Sequence, residues 1–105
     1  MSTRHQLENF PVAPIVSVQG PMVSAPISPE QFAAYLVGKG WEEIDPCGPF
    51  RQFVHKDHES GAYVPMRPSA RDYVQRCVEE IVSVADLEKR QPHEVLRDIA
   101  AMVVP

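Results

Sequence analysis

The stretch WEEIDPCGPFRQFVHKDHESGAYVPM, residues 41–66, decides how this chain folds. Its apolar residues fall in short runs separated by turn formers, Asp45-Pro46-Cys47-Gly48-Pro49 and then His58-Glu59-Ser60-Gly61, and no run is long enough for a helix. Three strands fit the gaps, over residues 41–44, 50–55 and 62–66. Phe50, Phe53, Tyr63 and Val64 are the side chains best suited to a pleated surface. Pro65 has no N–H to donate to a ladder, so the third strand is an edge or ends there.

Helix signals flank this stretch on both sides. Upstream, Ser28-Pro29-Glu30-Gln31 combines a capping serine, a proline at the first helical position and a glutamine able to return a bond to the cap. Phe32, Tyr35 and Leu36 follow at helical spacing, and Gly38 and Gly40 end the run near Lys39. Downstream, Pro68-Ser69-Ala70-Arg71-Asp72 repeats the logic, with Ser69 as the expected cap. The apolar period from Tyr73 through Cys77, Ile81 and Val84 predicts a long helix to about Lys89. Gln91-Pro92-His93-Glu94 opens a third helix whose apolar face runs from Val95 to Val103, and the last two helices read as an α-hairpin. The fold class is therefore α+β: a three-stranded antiparallel sheet packed by helices in the order α-β-β-β-α-α.

Ahead of residue 28 the character changes. Five of the eleven prolines, Pro11, Pro14, Pro21, Pro26 and Pro29, lie in the first 29 residues, and no helix runs through that spacing. Residues 1–27 read as an extended, Pro-rich leader and residues 28–105 as a single domain. The leader carries more apolar surface than a solvated linker. Phe10, Val12, Ile15, Val16, Val18, Met22 and Val23 are its candidate partner-binding residues, lying either on their own domain or on another chain.

Composition narrows the function classes. The chain has 105 residues and 11.8 kDa, enough for one ordinary core. Ten Lys and Arg stand against fourteen Asp and Glu, a net charge of -4, so there is no cationic excess for broad nucleic-acid binding and DNA is not an expected partner. Two cysteines are too few for a disulfide-stapled scaffold, and neither an export signal nor a membrane-length apolar run is present. A cytoplasmic location is the expectation.

Few residues group into chemistry. Two histidines, His55 and His58, with Cys47 and Cys77 have the donor types of a zinc site but lack the paired-knuckle spacing such sites use. Cys47 lies in a turn, yet no neighbouring signature supplies the orienting group and oxyanion site that a thiol nucleophile needs. Glu42, Glu43 and Asp45, and likewise Glu79 and Glu80, read as solvated charge because adjacent residues point to different sides. No catalytic, cofactor or metal site is expected. One basic grouping survives as a candidate anion or RNA patch: Arg51, Lys56, Arg67 and Arg71, joined in sequence by Arg76, whose i,i+4 pairing with Asp72 is the competing reading.

The order helix, three strands, helix, with Gly40-Trp41 after the first helix, Phe53-Val54-His55 in the second strand and Val64-Pro65 in the third, resembles the HicA-type toxin domain over residues 28–88. That resemblance implies the compact α-β-β-β-α arrangement of double-stranded-RNA-binding domains and a small ribonuclease. The family's catalytic histidine, carried in a Gly-Ser-His motif, has no counterpart, since Gly48-Pro49-Phe50 stands there. His55 matches a position that is not catalytic in the family. The Glu94-Val95-Leu96-Arg97-Asp98-Ile99 run, with Gly-Trp, Val-Pro and Asp-Tyr, also resembles small bacterial proteins of no assigned activity.

The function expected is that of a non-enzymatic bacterial or phage protein acting through protein–protein contact, with a protein partner or a second copy as a homodimer. Two alternatives stand beside it. One is a degenerate HicA-like RNA-binding or ribonuclease domain. The other is an acidic phage inhibitor that covers an enzyme's nucleic-acid site with Glu79, Glu80, Asp86 and Glu88.

Overall fold

A computed structural model describes residues 13–19 and 23–104. The described elements are β1 (Ile15–Val18), β2 (Val23–Pro26), α1 (Pro29–Gly38), β3 (Glu42–Cys47), β4 (Phe50–His55), β5 (His58–Pro65), α2 (Tyr73–Glu88) and α3 (Pro92–Ala100). They form the expected α+β fold, with a three-stranded antiparallel sheet ordered β3-β4-β5 and a second, two-stranded sheet made by β1 and β2.

Local chemistry explains most boundaries. At the start of α1 the capping box is complete: the Gln31 N–H donates to Ser28 Oγ at 3.1 Å and the Ser28 N–H donates to Gln31 Oε1 at 3.0 Å. Half of the same device opens α3, where the Gln91 N–H donates to Glu94 Oε1 at 2.9 Å while the Glu94 N–H returns to the Gln91 backbone carbonyl at 3.0 Å. Between them α2 ends in a Schellman turn, with the Lys89 N–H bonded to Asp86 O and the Arg90 N–H to Ala85 O. Lys89 sits there at φ 58°, the left-handed region where a side chain is disfavoured.

Three boundaries depart from the sequence reading. Ser69 does not cap α2. Residues 67–72 instead make turns, with Ala70 N–H to Arg67 O and Tyr73 N–H to Ala70 O, and the helix begins at Tyr73. The position is fixed by Tyr73 itself, whose ring is fully buried and whose hydroxyl donates to Ile27 O at 2.8 Å. Next, β5 begins at His58 rather than residue 62, because the turn occupies Lys56 and Asp57 while Gly61 lies within the strand. A Cβ at Gly61 would stand 3.2 Å from Tyr63 Oη and 3.3 Å from Phe53 O, so this glycine serves close packing and not a turn. Finally, β3 runs on through Pro46 to Cys47. That is tolerated because β3 is an edge and its register shifts between Ile44 and Cys47.

The described residues of the segment read as a leader, 13–19 and 23–27, fold into the same core. Val16, Val18 and Ile27 are buried in one cluster with Phe32, Leu36, Phe53, Val64, Ile81, Leu96 and Ile99. Its two described prolines sit where no ladder donor is lost: Pro26 closes β2, and the Ile27 N–H reaches Pro14 O at 3.1 Å. Strand alternation turns Val16 and Val18 inward and Ile15 and Ser17 outward, where Ser17 Oγ meets Ser24 Oγ across the pair. The helices lie between the two sheets: α1 and α2 pack on the three-stranded sheet, while α2 and α3 pack on the β1–β2 hairpin.

Candidate functional site

The three-stranded sheet has two unlike faces. Phe53, Ala62 and Val64 point inward and are covered by the helices. On the other face Ile44, Gln52 and Tyr63 form one cross-strand row by register, with Val54 beyond it and Phe50 before it. Ile44, Val54 and Tyr63 are 40%, 37% and 37% exposed, and no described element lies over them.

This open face runs into a cleft beside α2. The helix flanks the outer edge of β5, and Glu80 Oε1 accepts the backbone N–H of Tyr63 at 2.8 Å, supplying the partner that an edge strand lacks. The cleft has a volume of about 320 Å³ and is lined by Cys47, Phe50, Tyr63, Arg76, Glu79 and Glu80. A smaller hollow adjoins it through Phe50 and Arg76 and reaches Pro65, Met66 and Arg67.

The charges of the cleft are unevenly balanced. Arg76 is engaged by its own helix, with Nε 3.3 Å from Asp72 Oδ2 and a terminal nitrogen 3.3 Å from Glu79 Oε1. The first is the i,i+4 pairing weighed in the sequence, and the i,i+3 contact with Glu79 is added to it by the structure. Glu80 is half-buried, and burial pushes its carboxyl above the usual range; the Tyr63 N–H pulls the other way and the neighbouring Glu79 adds to the rise.

The residues singled out from sequence are dispersed. Arg51 makes a bidentate pair with Glu43, both contacts 2.7 Å, on the covered side of the sheet, and this holds the Glu43 carboxyl below its usual range. Lys56 sits in the β4–β5 turn, and Arg67 and Arg71 follow the far end of β5. Eight residues of strand, roughly 25 Å at 3.3 Å each, separate Lys56 from Arg67. The four do not assemble into one patch. Of the leader candidates, Val16 and Val18 are buried in the chain's own core, Ile15 is exposed and Val23 is half-buried. Phe10, Val12 and Met22 lie outside the described residues.

The metal-donor types are also apart. Cys77 is buried in α2, where burial pushes its thiol up to about 11, while Cys47 is exposed at the cleft. At the other end of β4, His55 and His58 face each other with ring centroids 4.7 Å apart, packed against the buried Trp41. His55 Nδ1 accepts the Asp57 N–H at 3.0 Å, so its proton is on Nε2, 3.2 Å from Lys39 O. Among the described residues no three metal-ligating groups converge.

Sequence reasoning missed the open face. Ile44, Phe50, Val54 and Tyr63 were read only as strand formers, and Glu80 as solvated charge. The alternation is present in β4, but both of its faces carry apolar residues, so periodicity alone does not say which face the helices cover.

The chain matches no protein-family model, and no curated protein or solved structure matches it.

Proposed function

We propose that this chain is a non-enzymatic interaction protein, a regulatory or accessory subunit that docks a partner protein on the open face of its three-stranded sheet. The observation that supports this is the group of Ile44, Tyr63, Val54 and Phe50 around Gln52 on one face of the sheet, which no other described element covers; Ile15, Val37, Val82 and Val103 are also exposed, but on other parts of the chain. The leader surface from which sequence reasoning started is a weaker candidate, because Val16 and Val18 serve the chain's own core. The RNA alternative draws no support from Arg51, Lys56, Arg67 and Arg71, since Arg51 is paired with Glu43 and Lys56 lies at the opposite end of β5 from Arg67 and Arg71. In the acidic-inhibitor alternative Glu80 and Glu88 would have to be free, yet Glu80 holds the Tyr63 N–H and Glu88 holds the Tyr35 hydroxyl at 2.7 Å. Two unbridged cysteines suit a reducing bacterial or phage-infected cytoplasm, and among the described residues no helix is long and apolar enough to cross a membrane.

The test is site-specific photo-crosslinking of the full chain in the cells that make it, with the crosslinker at position 44 and, as a control, at the exposed Asp86 of α2. The expected result is one discrete protein adduct from position 44, lost on Val54→Asp; an adduct of twice the chain mass identifies a homodimer. No adduct at 44, or the same adducts from both positions, overturns the proposal.

A further inference from the structure

The cleft at the margin of the open face has a definite chemistry. Its walls are the aromatic rings of Phe50 and Tyr63, and its helix side presents Glu79 and Glu80. Arg76 brings a positive charge, but Asp72 and Glu79 both lie against it, so with Glu80 one cation stands against three carboxylates, and Glu80 is the one with no ion pair among the described residues. One oxygen of Glu80 accepts the Tyr63 N–H, and its other oxygen has no hydrogen-bond donor among the described residues. A carboxylate half-withdrawn from water has lost part of its hydration, and it gains from a cation brought to it in the same low-dielectric setting. Aromatic faces beside it favour the same kind of group, since a guanidinium or ammonium is drawn to the ring quadrupole while its methylene stem packs on the ring. A volume of about 320 Å³ admits one long side chain and not a folded element.

We propose that this cleft seats a cationic side chain, arginine or lysine, carried by an extended apolar segment of the partner protein whose remaining side chains lie on Ile44, Tyr63 and Val54. The inference rests on the docking function above and specifies the partner: a basic and apolar protein segment, complementary to an aromatic and acidic cleft. Arginine suits the site better than lysine, because its planar fork can bond the free oxygen of Glu80 and stack on Tyr63 together.

The experiment titrates the isotopically labelled full chain, observed by amide NMR, with an eight-residue peptide alternating valine and arginine. A peptide with citrulline in place of every arginine keeps the shape and removes the charge. The expected result is saturable shifts at Phe50, Tyr63 and Glu80 with the arginine peptide, weakened about tenfold by Glu80→Gln and unchanged by Asp86→Asn, which removes the same charge elsewhere on α2. Glutamine at position 80 still accepts the Tyr63 N–H, so the edge of β5 stays closed in the variant. Equal binding of the citrulline peptide, equal weakening by Asp86→Asn, or no shift at the cleft each overturns the cationic occupant. The docking function is judged separately, by the crosslink from position 44, and stands if that adduct forms while the peptide result fails.

Discussion

Gln31 and Ala100, 69 residues apart in sequence, are joined by a hydrogen bond from the Gln31 side-chain amide to the Ala100 carbonyl at 3.2 Å, and the same amide reaches Met102 O at 3.3 Å. Gln31 therefore closes two helix ends at once, accepting the Ser28 N–H at the start of α1 and donating to carbonyls left unpaired at the end of α3. Gln31→Glu separates the two roles, since glutamate keeps the capping box and loses the donor. The variant is expected to be about 1–2 kcal/mol less stable by urea denaturation, the cost of part-buried acceptors without a donor; stability equal to the parent would show that the clamp contributes nothing.

Lys89 holds its left-handed turn against the preference of its own side chain. Lys89→Gly keeps the Schellman bonds and removes the clash of Cβ with the backbone. It should raise stability by about 1 kcal/mol, read as a higher urea midpoint at unchanged slope.

Burial raises the Glu80 carboxyl, and the sign of its linkage to stability follows. A group whose folded pKa lies above its unfolded value binds protons more tightly in the folded state, so its contribution is fully present below the unfolded pKa and is lost as pH rises through the folded value. The stability of the parent relative to Glu80→Gln should therefore improve as pH falls from 7 toward the ordinary carboxylate range. A difference that does not vary with pH contradicts the half-buried placement. Glu43 behaves oppositely: Arg51 lowers its carboxyl, and that contribution is lost on acidification.

The two thiols should react at very different rates. Cys47 is exposed, whereas Cys77 is buried with its thiol pushed up to about 11. Iodoacetamide at pH 8 is expected to label one cysteine per native chain and two in denaturant, with Cys47 identified by peptide mapping. Rapid native labelling of Cys77 would show that α2 is not packed as described.

Deletion of residues 1–27 should unfold the chain rather than free an arm. Val16, Val18 and Ile27 each place a fully or almost fully buried side chain in the common core, and burying each contributes about 1.5–3 kcal/mol. Val16→Ala alone is expected to cost about 2 kcal/mol. A truncated chain with native circular dichroism and cooperative melting would refute this role for the hairpin.

What the sequence determined was local. The Ser28–Gln31 box, Pro92 after Gln91, the helical period of α2 and the strand over residues 50–55 act within a few residues of each other, where caps, prolines and side-chain spacing settle the backbone. Pairing of Asp72 with Arg76 was legible for the same reason. Tertiary structure decided what depends on distant partners. Proline spacing marked residues 1–27 as extended, but only the apolar faces of α2 and α3 gave Val16 and Val18 a place to be buried. Basic residues at Lys56 and Arg67, close in number, are separated by the length of β5. The candidate site lies in this second class. Nothing near Tyr63 in sequence indicates that Glu80, 17 residues on, takes its backbone N–H, or that the helices cover the Phe53 side of the sheet and leave the Tyr63 side open. Which face of a two-sided apolar strand is buried depends on where the rest of the chain packs, and short-range pattern carries no information about that.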